Sequence, residues 1–384
     1  MLSNTSSNVV KISAAGAGKT WDICHEALEA GRAGKRSLIV TYTNRGTDSI
    51  RKEICKQNNG VLHEKVFIKT WFRFLLSDWI KPYQNYITGP ENINIIKSID
   101  FSEAYGIVNK FKTGTIGRYV TTGRNLKSNF VSEMAYSLNE KSDFKVLHRL
   151  EEIYAHIYFD EIQDLAGYDL QLMELLLNSL IGITCCGDNK QATFSTHNAR
   201  KNKAKTGRNI WAFFEDYDKR GNVSFIKKLE SRRFNQDICD FANSVHPVGD
   251  QITTIMDEVT EHDGVFLIRK EDVPDYFAWY KPQVLRFDAK TDNQGYQTVN
   301  FGACKGETFD RVMILPNGPL LKFILDKTAL SSPEKYYVAV TRAKFSIAIV
   351  MDKLPARLEK YDKVRIIVNG KSVEVLKYIS DKKK

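Results

Sequence analysis

Short apolar runs recur along the chain, and most are followed by a stretch long enough for a helix. In the first half the runs are Val9–Ser13, Ser37–Tyr42, Val66–Lys69, Ile157–Asp160 and Ile183–Cys186. Helices are predicted from Lys19, after Asn44 and over the apolar stretch Leu170–Leu180. In the second half the strand candidates are Phe225–Leu229, Val284–Phe287, Thr298–Phe301, Val312–Leu315 and Ile347–Val350, with helices near Asp237–Val245 and Pro333–Ala343. Several of the runs are apolar throughout rather than alternating, as expected of parallel strands covered on both faces. Strand–helix alternation of this kind predicts an α/β fold.

Two stretches interrupt the alternation. Residues 85–150 are polar, contain Gly and Asn and then turn helical, which reads as a small insert or subdomain. The basic stretch Asn198–Arg208 separates two halves. The simplest account is two α/β domains of similar size, 1–197 and 198–384, with the insert at about 85–150 in the first. The Lys-rich tail after Asp381 is expected to fray.

Composition narrows the class. With 384 residues, 42% hydrophobic and 27% charged, the chain has length for two or three packed domains and none of the bias of a disordered or fibrous protein. An excess of 56 Lys and Arg over 46 Asp and Glu gives a net charge of +10, which suits a polyanionic partner without establishing one. No run approaches the roughly 18 apolar residues of a membrane span, and the N-terminus lacks the layout of a secretory signal. The expected compartment is therefore the cytoplasm, without membrane association. The six cysteines are scattered with no C-x-x-C, so buried reduced thiols are expected rather than a metal site or disulfides.

Chemistry concentrates in three segments. Ser13-Ala-Ala-Gly-Ala-Gly-Lys-Thr20 lies between a strand and a helix, where a phosphate loop must sit. The small residues Ala15, Gly16, Ala17 and Gly18 let backbone N–H groups wrap phosphates, and the helix start adds positive potential. Lys19 would reach the β- and γ-phosphates of ATP, and Thr20 would hold Mg²⁺. Ser13 stands where the full Walker pattern has Gly. Such a loop needs a carboxylate on a nearby strand end, and Ile157-Tyr-Phe-Asp-Glu-Ile-Gln-Asp164 supplies it. Asp160 would serve Mg²⁺, and Glu161 would orient and deprotonate the attacking water. One helix and one strand later, Gly187-Asp-Asn-Lys-Gln191 offers Gln191 as a sensor of the γ-phosphate.

Three further segments extend the series: Ser231-Arg-Arg-Phe234, Cys304-Lys-Gly-Glu-Thr-Phe-Asp310 and Tyr336-Tyr-Val-Ala-Val-Thr-Arg-Ala-Lys344. With Thr41-Tyr-Thr-Asn44 and Thr70 to Phe74, the ordered set resembles the motifs of superfamily 1 helicases of the UvrD/Rep type, over residues 10–350. The resemblance implies two tandem RecA-like domains with ATP bound between them. It implies that Arg342 is the arginine finger and Arg233 its companion, and that Gly306 and Glu307 lie at the nucleotide. It also implies single-stranded DNA, or a single/double-strand junction, as partner. Tyr42 would stack on a base, Thr43 and Asn44 would contact the backbone, and Thr70, Trp71 and Phe194 would belong to the same track.

The chain also departs from that family. Only twelve residues precede Ser13 and none is the Gln of an adenine-reading segment. Thr196 and His197 stand where an aromatic and an Arg are usual, and Thr308 where many members have Glu. The interval 246–297 is barely long enough for motor strands, so the second large insert of full helicases is expected to be absent. The expected activity is an ATP-dependent translocase or helicase on single-stranded DNA, moving 3′→5′. The alternative is a DNA-stimulated ATPase subunit that senses DNA ends for a partner such as a nuclease, in phage defence for example.

Overall fold

A computed structural model of the chain describes residues 8–91, 95–102, 111–192 and 202–380. The chain divides into two compact units. Unit 1 comprises Met1–Ile12, Lys19–Asp188 and Phe194–Lys227, and unit 2 comprises Ser13–Gly18, Asn189–Thr193 and Lys228–Lys384.

Unit 1 is built on β1 (Val9–Ser13), β2 (Ser37–Thr41), β3 (Val66–Thr70), β4 (His156–Phe159), β5 (Gly182–Gly187) and β6 (Ser224–Lys228), in the order β3-β2-β4-β5-β1-β6. From β3 to β1 every pairing is parallel. Its helices include α1 (Lys19–Arg32), α2 (Asn44–Gln57), α3 (Val131–Lys141) and α4 (Asp169–Leu177). Successive side chains of a strand point to opposite faces, and the apolar runs fill both. Ile39, Tyr158 and Cys186 pack with Ile23, Ala27 and Leu28 of α1 and Ile50 and Ile54 of α2. Leu38, Val40, Ile157, Phe159 and Cys185 face the other way, toward Met134 and Leu138 of α3 and Leu172 and Met173 of α4. The part of the 85–150 stretch that forms α3 and the following helix, Lys145–Ile153, thus contributes to this main core. Ahead of it, Ile99–Asp100 pairs with Leu126–Lys127 in a two-stranded sheet.

Unit 2 contains α5 (Gln236–Val245), β7 (Gly264–Arg269), α6 (Val273–Tyr280), β8 (Gln283–Arg286), β9 (Thr298–Asn300), β10 (Phe309–Leu315), α7 (Pro333–Val340), β11 (Ala343–Met351), β12 (Tyr361–Val368) and β13 (Lys371–Tyr378). Its sheet runs β9-β8-β10-β11-β7-β13-β12. The five strands from β9 to β7 are parallel, as expected. The last two are not: β13 pairs antiparallel with β7 and with β12. β12 and β13 form a hairpin, closed by a two-residue turn at Asn369 and Gly370, at φ 51° and 76°. A turn with both residues at positive φ folds a strand back on itself and matches the twist of the pair.

The fold class is therefore the α/β one expected, with two units in tandem. All six cysteines are free thiols, and all but the half-buried Cys55 are buried. Burial pushes the Cys304 thiol up to about 11 and raises Cys24, Cys185 and Cys186 as well. Among the described residues no helix is long and apolar enough to cross a membrane.

Candidate functional site

Parallel strands all end on the same side of a sheet, and ligands of open α/β sheets bind outside those carboxyl ends. In unit 1 the strand order brings the sequence motifs together along that edge. Reading across, Thr70 ends β3, Tyr42 follows β2, Asp160 and Glu161 follow β4, Asp188 follows β5, and the glycine-rich loop follows β1.

The carboxylate segment is held by Gln163, which is fully buried. Its Nε2 donates to Glu161 Oε2, and its Oε1 accepts the Asp188 N–H at 3.2 Å. Gly187 is required for this wiring, because a Cβ there would come within 2.6 Å of Gln163 Oε1. Glu161 adopts a left-handed conformation (φ 60°, ψ 42°), and its N–H donates to Asp160 Oδ1 at 3.1 Å. A left-handed conformation costs a non-glycine residue free energy, and strain of this kind clusters at active sites. Lys19, on the first turn of α1, brings its Nζ to 4.0 Å from Asp188 Oδ2, whose side chain is almost fully buried. Thr20 follows it on the same turn.

The loop ahead of Lys19 belongs to unit 2. Gly16 and Gly18 have φ of 76° and 87°, conformations that point successive N–H groups into a cradle and that side chains disfavour. A Cβ on Gly16 would also lie 2.5 Å from the Arg233 Cβ, and the Gly16 carbonyl accepts the Arg232 N–H at 3.0 Å. Ala14 and Ala15 are buried in the same cluster as Phe234 and Ile238. Ala17 closes the loop, donating its N–H to the Ala14 carbonyl at 3.2 Å. This donor-rich loop is suited to a triphosphate. A Mg²⁺ ion at a phosphate takes only one or two protein oxygens, which the Thr20 hydroxyl and the Asp160 carboxylate are able to supply.

Arg233 and Arg342 of unit 2 both hydrogen-bond to the C-terminal end of α7, where helical carbonyls lack intrahelical partners. Arg233 Nη1 donates to the Thr341 carbonyl at 3.1 Å. Arg342 is 2% exposed, and its Nε donates to the Val338 carbonyl at 3.0 Å. Its Nη1 donates to the Glu307 carbonyl at 3.1 Å, and its Nη2 to Gln191 Oε1 and Thr341 Oγ1, both at 3.3 Å. Gln191, Glu307 and Arg342 are thus brought together. Gly306, at φ 89°, and Glu307 lie on an exposed turn. Lys190 is also buried, donating to the His246 carbonyl at 2.9 Å, with its ammonium 5.9 Å from the Tyr337 ring.

Residues 128–206, which include both the Asp160–Asp164 and the Gly187–Gln191 segments, match the model of the UvrD/REP helicase N-terminal domain. Over that segment the chain is similar to UvrD/REP helicases. Among solved structures, a complex of the arterivirus nonstructural protein 10 (helicase) with DNA aligns at a TM-score of 0.47 and 14% identity, over 91% of this chain and 61% of that one. This chain therefore spans about three-fifths of the length of that protein. No curated protein matches the sequence.

The residues expected to face nucleic acid are placed unequally. Thr43 and Asn44 are exposed, Thr43 capping α2 by accepting the Gly46 N–H at 2.9 Å. Thr70 is half-buried and caps the short helix Trp71–Phe74, accepting the Arg73 N–H at 3.2 Å. Tyr42 is half-buried against the core, its ring centroid 6.5 Å from that of Trp71, and burial pushes its phenol up. Trp71 is fully buried, and its indole N–H donates to Asp169 Oδ1 at 2.9 Å. Its ring packs at 6.0 Å from Phe74 and 5.9 Å from Phe159, which places it in the core. Phe194 lies outside the described residues.

Three residues that carry the geometry had no role assigned from the sequence: Gln163, Asp188 and Asp169. The first two lie inside the quoted motifs, so the signal was present as motif membership. Asp169 gathers Trp71, the Ser132 hydroxyl at 2.5 Å and the Ala166 N–H at 3.1 Å, and nothing in its sequence context announces that.

Proposed function

We propose that the chain is an ATP-driven motor that translocates along single-stranded DNA in the 3′→5′ direction. The observation that carries the reading is the shared edge of the unit 1 sheet. Along that edge Thr70, Tyr42, Asp160, Glu161 and Asp188 stand at the ends of adjacent strands, and this arrangement supports the reading. Mg²⁺, when bound, supplies charge neutralisation to the phosphates. Thr20 and Asp160 hold its position, and Lys19 binds the β- and γ-phosphates. Glu161, fixed by Gln163, orients the attacking water and takes its proton. Arg342 and Arg233 supply positive charge to the transferring phosphoryl group, with Gln191 held against Arg342 so that the amide answers the same charge. Exposed Thr43 and Asn44 contact the strand's backbone, joined by Thr70 as the strand passes the end of β3. The net charge of +10 favours such a partner.

The test is steady-state ATP hydrolysis with single-stranded DNA, duplex DNA, RNA or nothing added. The reading expects marked stimulation by single-stranded DNA that weakens steeply as salt rises. Hydrolysis indifferent to every nucleic acid would refute it.

A further inference from the structure

Two segments expected to face a nucleic-acid strand, residues 42–44 after β2 and Thr70 at the end of β3, converge on one buried side chain. The Trp71 ring lies 6.5 Å from the Tyr42 ring, and Trp71 directly follows Thr70, which caps the short helix it begins. Trp71 also meets both flanks of the carboxylate segment. Phe159, the residue before Asp160, packs edge-on against it at 5.9 Å. The indole N–H donates to Asp169 Oδ1 at 2.9 Å, and Asp169 Oδ2 accepts the Ala166 N–H at 3.1 Å. Asp169 returns its own N–H to the Ala166 carbonyl at 3.0 Å. Between these flanks the chain is wound tightly. The Glu161 carbonyl accepts the Asp164 N–H, and the Ile162 carbonyl the Leu165 N–H, both at 3.1 Å. Trp71 and Asp169 are fully buried, and a close-packed interior transmits displacement rather than absorbing it.

A DNA strand that engages Thr70 or residues 43–44 therefore acts on backbone joined directly to the Trp71 packing. We propose that Asp169 is a positioning residue that ties Trp71 to the segment carrying Asp160 and Glu161, so that single-stranded DNA held by Thr70 and residues 43–44 sets the placement of Glu161. A carboxylate suits the task because it accepts on both oxygens at once, which a side-chain amide does not. Coupling between sites is carried by chains of packed and hydrogen-bonded groups, and every link from Thr70 to Glu161 lies within unit 1. This inference rests on the motor reading above and adds to it the residue through which DNA stimulates hydrolysis.

The experiment measures ATP hydrolysis by the full chain with and without saturating single-stranded DNA, together with the dissociation constant for that DNA in the absence of nucleotide. Asp169→Asn keeps the volume, but its amide has a single acceptor oxygen, so one of the two links is lost. Trp71→Phe keeps a ring in the core and removes the indole link. Ser132→Ala is the control: it removes a donor to Asp169 Oδ1 that lies on neither segment. In Asp169→Asn and in Trp71→Phe the ratio of stimulated to basal rate should fall by at least about fivefold, the lower end of ordinary coupling between sites. In Asp169→Asn the basal rate and the DNA dissociation constant should stay within about twofold of wild type. Ser132→Ala should keep the wild-type ratio. A ratio within about twofold of wild type in either of the first two variants would overturn the proposal. So would an equal fall of basal and stimulated rates, or a matching loss in Ser132→Ala, each of which would mark the cluster as support for the fold alone. A wild-type chain that single-stranded DNA does not stimulate would instead overturn the motor reading, and the proposal with it.

Discussion

Unit 1 and unit 2 secure their cations differently. In unit 1 the Lys19 ammonium stands 4.0 Å from the buried Asp188 carboxylate. In unit 2 the Arg342 guanidinium is buried, and the hydrogen bonds that hold it end on neutral oxygens: two carbonyls, an amide and a hydroxyl. A lysine facing a carboxylate is partly neutralised until an anionic ligand competes for it. An arginine held by carbonyls keeps its full charge in a fixed orientation, which is what stabilisation of a transient charge requires. The difference is one of local setting: a cation beside a buried carboxylate in unit 1, and one preorganised by neutral oxygens in unit 2.

Substitutions can break this contrast in order of expected size. Arg342→Ala should lower kcat by about 10³- to 10⁵-fold while leaving nucleotide affinity nearly unchanged, the signature of a group used only in the transition state. Arg342→Lys should recover little, because a lysine cannot reproduce the forked donors. Steady-state kinetics paired with equilibrium binding reads both. Gln163→Leu keeps the volume but cuts the link from Glu161 to Asp188, and a loss of about 10²-fold in kcat is expected from the misplaced base. A kcat unchanged in that variant would show that Glu161 is positioned by something else. Asp169→Ala should cost about 1–3 kcal/mol in chemical denaturation, because the Trp71 indole N–H would be left unsatisfied in the core.

The smallest effect concerns acid. In unit 1, burial lowers His156 to about 4, with Lys11 and Lys35 adding to the effect. In unit 2, burial lowers His262 to about 3, helped by Arg311 and Lys377. Each imidazole is held neutral in the fold and takes up a proton on unfolding at its ordinary value near 6.5. Stability from both is complete above that pH and falls as pH drops from about 6.5 toward 4 and 3. His156→Gln and His262→Gln should each flatten the pH dependence of the denaturation midpoint in that window by about 1–2 kcal/mol. The unit that gains acid resistance should follow the substitution. Parallel curves for variant and wild type would show that the histidine concerned does not control acid stability.

Much of this was legible in the sequence, for a physical reason. A buried parallel strand is mostly apolar, and a phosphate loop must be small-residued, so Ser37–Thr41, Ile157–Phe159 and the loop after Val9–Ser13 announce themselves. The carboxylates after Phe159 are conspicuous for the same reason, as charge directly beyond a buried run. What escaped was set by long-range packing. Trp71 occupies a position expected to face nucleic acid, yet its buried partner Asp169 lies 98 residues away. The β12–β13 hairpin carried a local signal, the Asn369-Gly370 pair between alternating strands, that expectation of a wholly parallel sheet overlooked. Gln163 was visible as a motif letter, but its role depends on the close approach that Gly187 permits.

The most direct test of the account is the single-turnover rate of ATP hydrolysis by Glu161→Gln in saturating single-stranded DNA, alongside its ATP dissociation constant. If Glu161 is the group that activates water at the strand-end site, hydrolysis should fall by at least about 10³-fold while ATP binds as in wild type. Hydrolysis at the wild-type rate would contradict the assignment of the site.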